Sequence, residues 1–145
     1  MGNAVNYLTE QKKNYNNFSA SAGMQISLEK WGDLKWTSAF TSRSPKPAEL
    51  FSDGLHHALS TIERGDLRLR QEKAFKTVVS LEKVAAKWNF VVSAHHTRFT
   101  DFIQLVPTEK GLDQTRNSAY LERQYTQLPQ AAFTGVDVDL NVQLK

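Results

Sequence analysis

The sequence predicts an all-β fold, an antiparallel up-and-down meander of about five long strands. Three observations predict it. Two stretches alternate apolar and polar residues without a break, the period-two signature of a strand with two unlike faces. The connections between the predicted strands run short, long, short, long. No stretch of comparable length carries the 3.6-residue period of an amphipathic helix.

Residues 1–15 read as a tail or the remnant of an outer loop, and 16–145 as the meander. Met1-Gly2-Asn3-Ala4-Val5-Asn6 lacks the cationic start and apolar run of a secretory signal, and Asn6 stands where a myristoylation pattern wants Ser or Thr. The first predicted strand runs from Phe18 to Glu29. Phe18, Ala20, Ala22, Met24, Ile26 and Leu28 fall on one face, and Ser19, Ser21, Gly23, Gln25, Ser27 and Glu29 on the other. Lys30 to Asp33 is short enough for a tight hairpin into a second strand over Leu34 to Ser42. A long loop follows, in which Pro47 to Phe51 suits one helical turn after its proline. The third strand, Lys73 to Glu82, passes through Lys83 to Lys87 into the fourth, Trp88 to Ile103, both rich in the aromatic and β-branched residues that strands favour. After a second long loop, Ala132, Thr134, Val136, Val138, Leu140, Val142 and Leu144 alternate with a face that is polar apart from Phe133.

Short turns at one end, long loops at the other, and strands of ~10 residues with apolar and polar sides are the plan of bacterial outer-membrane barrels. The meander is therefore expected to be part of a transmembrane β-barrel, or derived from one. Ser27-Leu28-Glu29-Lys30 and Ser80-Leu81-Glu82-Lys83 precede the two short turns and suggest a shared turn architecture. Trp31, Trp36 and Trp88, with Lys30, Lys35, Lys83 and Lys87, fall near those turns, where an interfacial girdle would sit. They serve equally as core tryptophans at hairpin ends. Five strands cannot close a barrel, so two edges and the apolar face of Phe18, Met24, Ile26, Trp36, Val138 and Leu140 need cover. Further strands, self-association through the edges, or curling into a small barrel would each supply it.

Composition narrows function. The 145 residues carry 18 basic and 15 acidic side chains, spread evenly, so no charged block points to nucleic acid. With no cysteine, thiol catalysis, thiolate metal sites and disulfides are excluded. No apolar run reaches the ~18 residues of a membrane helix. Serines are plentiful but none lies in a nucleophile elbow, and Asp137 and Asp139 read as a hydrophilic wall, so an enzyme is not expected. His56 and His57, near Glu49, Asp53 and Glu63, are the candidate metal ligands, for zinc or an iron chelate, although adjacent loop histidines are more often plain surface. His95 and His96 lie on opposite faces of one strand. Arg43, Arg64, Arg68 and Arg70 would attract an anion, but acids are interspersed among them.

The long loops carry a resemblance. Arg43-Ser44-Pro45-Lys46-Pro47-Ala48-Glu49-Leu50-Phe51-Ser52-Asp53-Gly54-Leu55-His56-His57, then Glu63-Arg64-Gly65-Asp66, then Leu69-Arg70-Gln71-Glu72, resemble a loop of the TonB-dependent outer-membrane receptors. That loop reads roughly R-x-P-x-x-x-E-L-F/Y-x-x-G-x-H-H, E-x-G-D, L-x-x-E. Arg98 to Thr108, Tyr125-Thr126-Gln127 and Phe133 to Leu140 are similar to strands of the same family. The likeness covers about residues 16–145 and rests on several motifs in one order. It implies a receptor in the outer membrane of a Gram-negative bacterium that takes up a siderophore, haem, cobalamin or a metal ion with energy from TonB. Arg43, Glu49, His56, His57 and Glu63 would then lie on the ligand side, and the His-His pair would favour a metal or metal chelate.

Departures from the family are large. The plug domain, the TonB-contacting segment, a signal peptide and most of a ~22-stranded barrel fall outside these residues, and Leu144-Lys145 stands where an aromatic end is usual. Gln71 replaces a frequent proline, and Lys30, Lys83 and His95 replace aromatic residues, which would wet a lipid-facing surface. The expectation is a receptor fragment, or an engineered soluble derivative of one, with no transport of its own. The competing class is a soluble small β-barrel that holds an apolar ligand in its mouth.

Overall fold

The computed structural model describes residues 13–56, 60–112 and 121–143. Strands β1 (Ser19–Ser27) and β2 (Asp33–Arg43) precede helix α1 (Pro47–Phe51), the short strands β3 (Asp53–His56) and β4 (Thr61–Arg64), and the long strands β5 (Glu72–Val84), β6 (Trp88–Leu112) and β7 (Leu121–Val142). They form one seven-stranded sheet in the order β1-β2-β5-β6-β7-β4-β3. The five long strands are the antiparallel meander that the sequence predicts.

Two features differ from the sequence reading. The first long loop is not structureless: β3 and β4 form a hairpin inside it, and β4 lies parallel to the loop end of β7, Thr61 against Leu121 and Arg64 against Gln124. The second long loop is largely strand. The β6–β7 register runs on from Thr100↔Gln130 through Phe102↔Leu128 to Pro107↔Arg123, interrupted only opposite Pro129, which has no N–H to donate. There Asp101 adopts a left-handed conformation, φ 56°. Polar residues such as Gln104, Arg123 and Gln127 hide these extensions in the sequence, and Gln127 is held by the loop that folds against it, donating to Arg70 O at 2.7 Å.

The two short turns are also unlike one another. Leu28-Glu29-Lys30 lies in the first, with Glu29 at φ 45° and Gly32 at φ 98°, while Leu81-Glu82-Lys83 is still strand. Gly32 sits so close to β5 that a Cβ would come 2.2 Å from the Glu82 carbonyl oxygen. The repeated tetrapeptide therefore marks no shared turn.

Register assigns every side chain of the meander to a face. One face carries Ile26, Leu34, Leu81, Val92 and Val138 in one row and Met24, Trp36, Val79, Ala94 and Val136 in the next. Its side chains are open, Val138 at 70% and Val136 at 66%. A middle row of Ala22, Ser38, Thr77, His96 and Thr134 is polar but internally satisfied: Ser38 and Thr77 hydroxyls lie 2.9 Å apart, and His96 Nδ1 is 2.7 Å from Thr134 Oγ1. The other face carries Asp33, Glu82 and Asp139, Lys35, Ser80 and Asp137, and Thr37, His95 and Gly135. His95 is thus on the polar face, 3.2 Å from Asp137; the histidine that wets the apolar face is His96.

The sheet is a single open layer among the described residues. β1 has no outer neighbour, and β7 has none beyond the stretch that β4 covers. Burial is confined to the loop end, where Leu50, Leu69 and Ile103 form a small core with Tyr125 against it.

Candidate functional site

The polar groups withdrawn from solvent gather around that core, on the polar face where the first long loop folds inward. Pro47 presets the backbone for the first turn of α1. Glu49, three residues past the helix cap, accepts from the Lys46 N–H at 2.8 Å. The lysine side chain has no acceptor to offer in return, so only half of a capping box forms.

Arg43 and its two carboxylate partners tie four segments together. Its Nη1 donates to both Glu49 carboxylate oxygens, at 2.9 and 3.2 Å, and its Nε and Nη2 form a bidentate pair with Glu72 at 2.8 and 3.2 Å. Glu72 also accepts the Ile103 N–H at 2.8 Å. The end of β2, the start of α1, the start of β5 and the middle of β6 are thereby fixed to one guanidinium. Gly65 closes the other side: its N–H donates to Ser52 O at 2.6 Å and Asp66 N–H to Glu49 O at 3.0 Å. A Cβ on Gly65 would lie 2.5 Å from the Leu50 carbonyl, so only glycine admits this backbone contact.

Strand β7 supplies the remaining wall. The Gln127 side chain behaves like a strand neighbour, donating to Arg70 O at 2.7 Å and Asp101 O at 3.0 Å while accepting from Arg70 N–H at 2.9 Å. Tyr125 donates a long hydrogen bond, 3.5 Å, to Glu63. Burial pushes the Tyr125 phenol above its ordinary pKa, and the negative charges of Glu63 and Glu49 push the same way. Nearby, the hydrogen bond from Arg68 holds the Asp66 carboxyl below its usual range.

The arrangement brings together Arg43, Glu49 and Glu63 and employs them internally. Glu49, Glu63 and Glu72 are all buried. Each arginine proposed to attract an anion has a carboxylate partner: Arg43 with Glu49 and Glu72, Arg64 with Asp53 and Glu122, Arg68 with Asp66, Arg70 with Asp101. His56 ends the exposed strand β3, and His57 lies outside the described residues. Among the described residues no group of three or more His, Cys, Asp or Glu is placed to hold a metal ion. Asp137 is engaged by His95, and Asp139 by Asn141 at 3.4 Å. Glu72 stands in the L-x-x-E motif and Tyr125 and Gln127 in a strand stretch of the same resemblance, but the sequence assigns none of them a role; the partners of Tyr125 and Gln127 stand 62 and 57 residues away.

The site is thus a polar scaffold that shapes a loop, with strand β3 exposed beyond it. No family model matches the chain, and no curated protein matches it.

Proposed function

We propose that the chain forms part of the barrel wall and one ligand-side loop of a TonB-dependent outer-membrane receptor, which binds a siderophore, haem, metal ion or similar scarce nutrient. The observation that carries this reading is the height of the apolar face. From Ala132 to Val142 is about 34 Å at the ~3.4 Å rise of an antiparallel strand. Tilted by ~40°, that projects to about 26 Å, close to the ~25 Å outward band of outer-membrane barrels.

Aromatic residues bound the band at both ends. Trp88 and Phe90 stack at 5.7 Å toward the short turns, and Phe18 and Phe40 meet at 6.2 Å toward the loop, with Phe75 beside Phe40. The open edges of β1 and β7 suit continuation of the wall by further strands. In this reading the motif residues Arg43, Glu49, Glu63, Gly65 and Glu72 hold the loop in shape, and the exposed strand β3, with His56, faces the nutrient. Among the described residues no helix is long and apolar enough to cross a membrane; the strands are what would cross.

Tryptophan quenching in vesicles tests it. With bromine-labelled acyl chains, Trp36 and Trp88 fluorescence should fall when the chain is folded into phosphatidylcholine vesicles. A monomer that stays in the aqueous phase without detergent, its tryptophans unquenched, would overturn the reading.

A further inference from the structure

The ionisable groups of the meander's apolar face are all basic. Between the Trp88↔Val142 and Thr100↔Gln130 pairs it carries Lys73, Lys83, His96 and Arg98 and no Asp or Glu, whereas the other face mixes both signs, Lys35, Arg43, Lys76 and His95 with Asp33, Glu72, Glu82, Asp137 and Asp139. Two of the basic residues converge where the apolar band ends on the loop side. Arg98 pairs with Phe75 across β5 and β6, and Lys73 stands two residues along β5, opposite Thr100. Arg98 Nη2 donates to Gln130 Oε1 at 3.1 Å, one row closer to the loop than its own partner Ala132, so the guanidinium leans out of the band. That is how a cation at an apolar surface keeps its charge wet. Both side chains are exposed, and neither has a carboxylate partner among the described residues, unlike Arg43, Arg64, Arg68 and Arg70. Phe40 and Phe75 flank them as an aromatic rim.

We propose that Lys73 and Arg98 form a binding site for the phosphate of an anionic lipid headgroup at the loop-side rim of the apolar face. The inference rests on the reading above that this face meets lipid, and adds which lipid it prefers. A phosphate at the rim meets two cations on adjacent strands, a guanidinium that presents paired donors, and aromatic rings at headgroup depth. At the short-turn end the equivalent cation is already engaged: Lys83 Nζ donates to Lys30 O and stands 5.8 Å from the centre of the Trp88 ring. The selective end is therefore the loop end.

Flotation of the 145-residue chain with vesicles tests this. Phosphatidylcholine vesicles are compared with phosphatidylcholine vesicles containing phosphatidic acid, for the wild type, the Lys73→Gln, Arg98→Gln variant, and Lys76→Gln, which removes a charge from the opposite face. The wild type should prefer the anionic vesicles. The double variant should keep its affinity for pure phosphatidylcholine and lose on the order of five-fold per cation toward the anionic ones, while Lys76→Gln keeps the preference. Inorganic phosphate at matched concentration should compete only weakly, because it brings no acyl chain; full competition would make the site one for free phosphate and overturn the lipid proposal. Equal losses in all variants would reduce the preference to net charge. Binding to both vesicle types without preference would sink the inference and leave the receptor reading standing; no binding to either would sink both.

Discussion

The His95 imidazole occupies the space in which any side chain on Gly135 would stand. A Cβ there would lie 2.6 Å from His95 Cε1 and 2.7 Å from Nε2, while Nδ1 reaches Asp137 at 3.2 Å. The glycine admits the ring, and the ring reaches the acid.

Gly135→Ala should therefore push His95 off Asp137. The alanine's better strand propensity opposes the clash, so the expected net loss is about 1 kcal/mol. The sharper measurement is by NMR: the His95 ring signals should shift, while those of His96, on the opposite face, stay in place. Unmoved His95 signals would show that the ring does not depend on the glycine.

Gly65→Ala should loosen the loop. The methyl would collide with the Leu50 backbone, which cannot rotate away as a side chain can, and two backbone hydrogen bonds depend on that approach. A cost of about 2 kcal/mol is expected, visible as faster amide exchange over residues 60–71 with the β5–β6 amides unchanged.

Arg43→Met should be worse than removing an ordinary surface charge. It leaves Glu49 and Glu72 buried without their shared cation, a situation that costs ~3–5 kcal/mol in closed interiors. With the arginine side chain itself 36% exposed, about 2 kcal/mol is the expected loss on denaturant unfolding. Adding Glu72→Gln should recover part of it, since the amide can still accept from Ile103 N–H.

Tyr125 offers a pH test. Its folded pKa is raised above the ordinary value of about 10 by burial and by Glu63 and Glu49. The fold therefore favours the protonated phenol: that contribution is complete below about pH 10 and is lost as pH rises from the unfolded to the folded value. Phenolate absorbance should show Tyr125 ionising after an ordinary tyrosine, identified by its absence in Tyr125→Phe. In Glu63→Gln it should ionise earlier; no change would remove Glu63 as a cause.

These tests separate what the sequence made legible from what it hid. Alternation places β1 and the part of β7 from Ala132 onward, and aromatic and β-branched content places β2, β5 and β6 as far as Ile103. Both signals fail between Ile103 and Ala132, where the first long loop folds against the strands and neither face is purely apolar. The β3–β4 hairpin has four-residue strands, too short to show a period. At the site, Arg43 and Glu49 pair with each other and Glu63 accepts from Tyr125, contacts that the sequence does not announce. Spacing along the chain cannot say whether a charge will meet a ligand or a partner 29 residues away, which is the separation of Arg43 and Glu72.

The loop package also sets an order of events. Its small core closes under Tyr125 and Gln127, contributed by β7, so the first long loop stays without its lid until that strand is present. Contacts separated by 57 and 62 residues form late and slowly compared with the neighbouring hairpins. A chain emerging from its N-terminus would hold β1, β2, β5 and β6 as paired strands beside an unlatched loop, and the arrival of β7 would latch it.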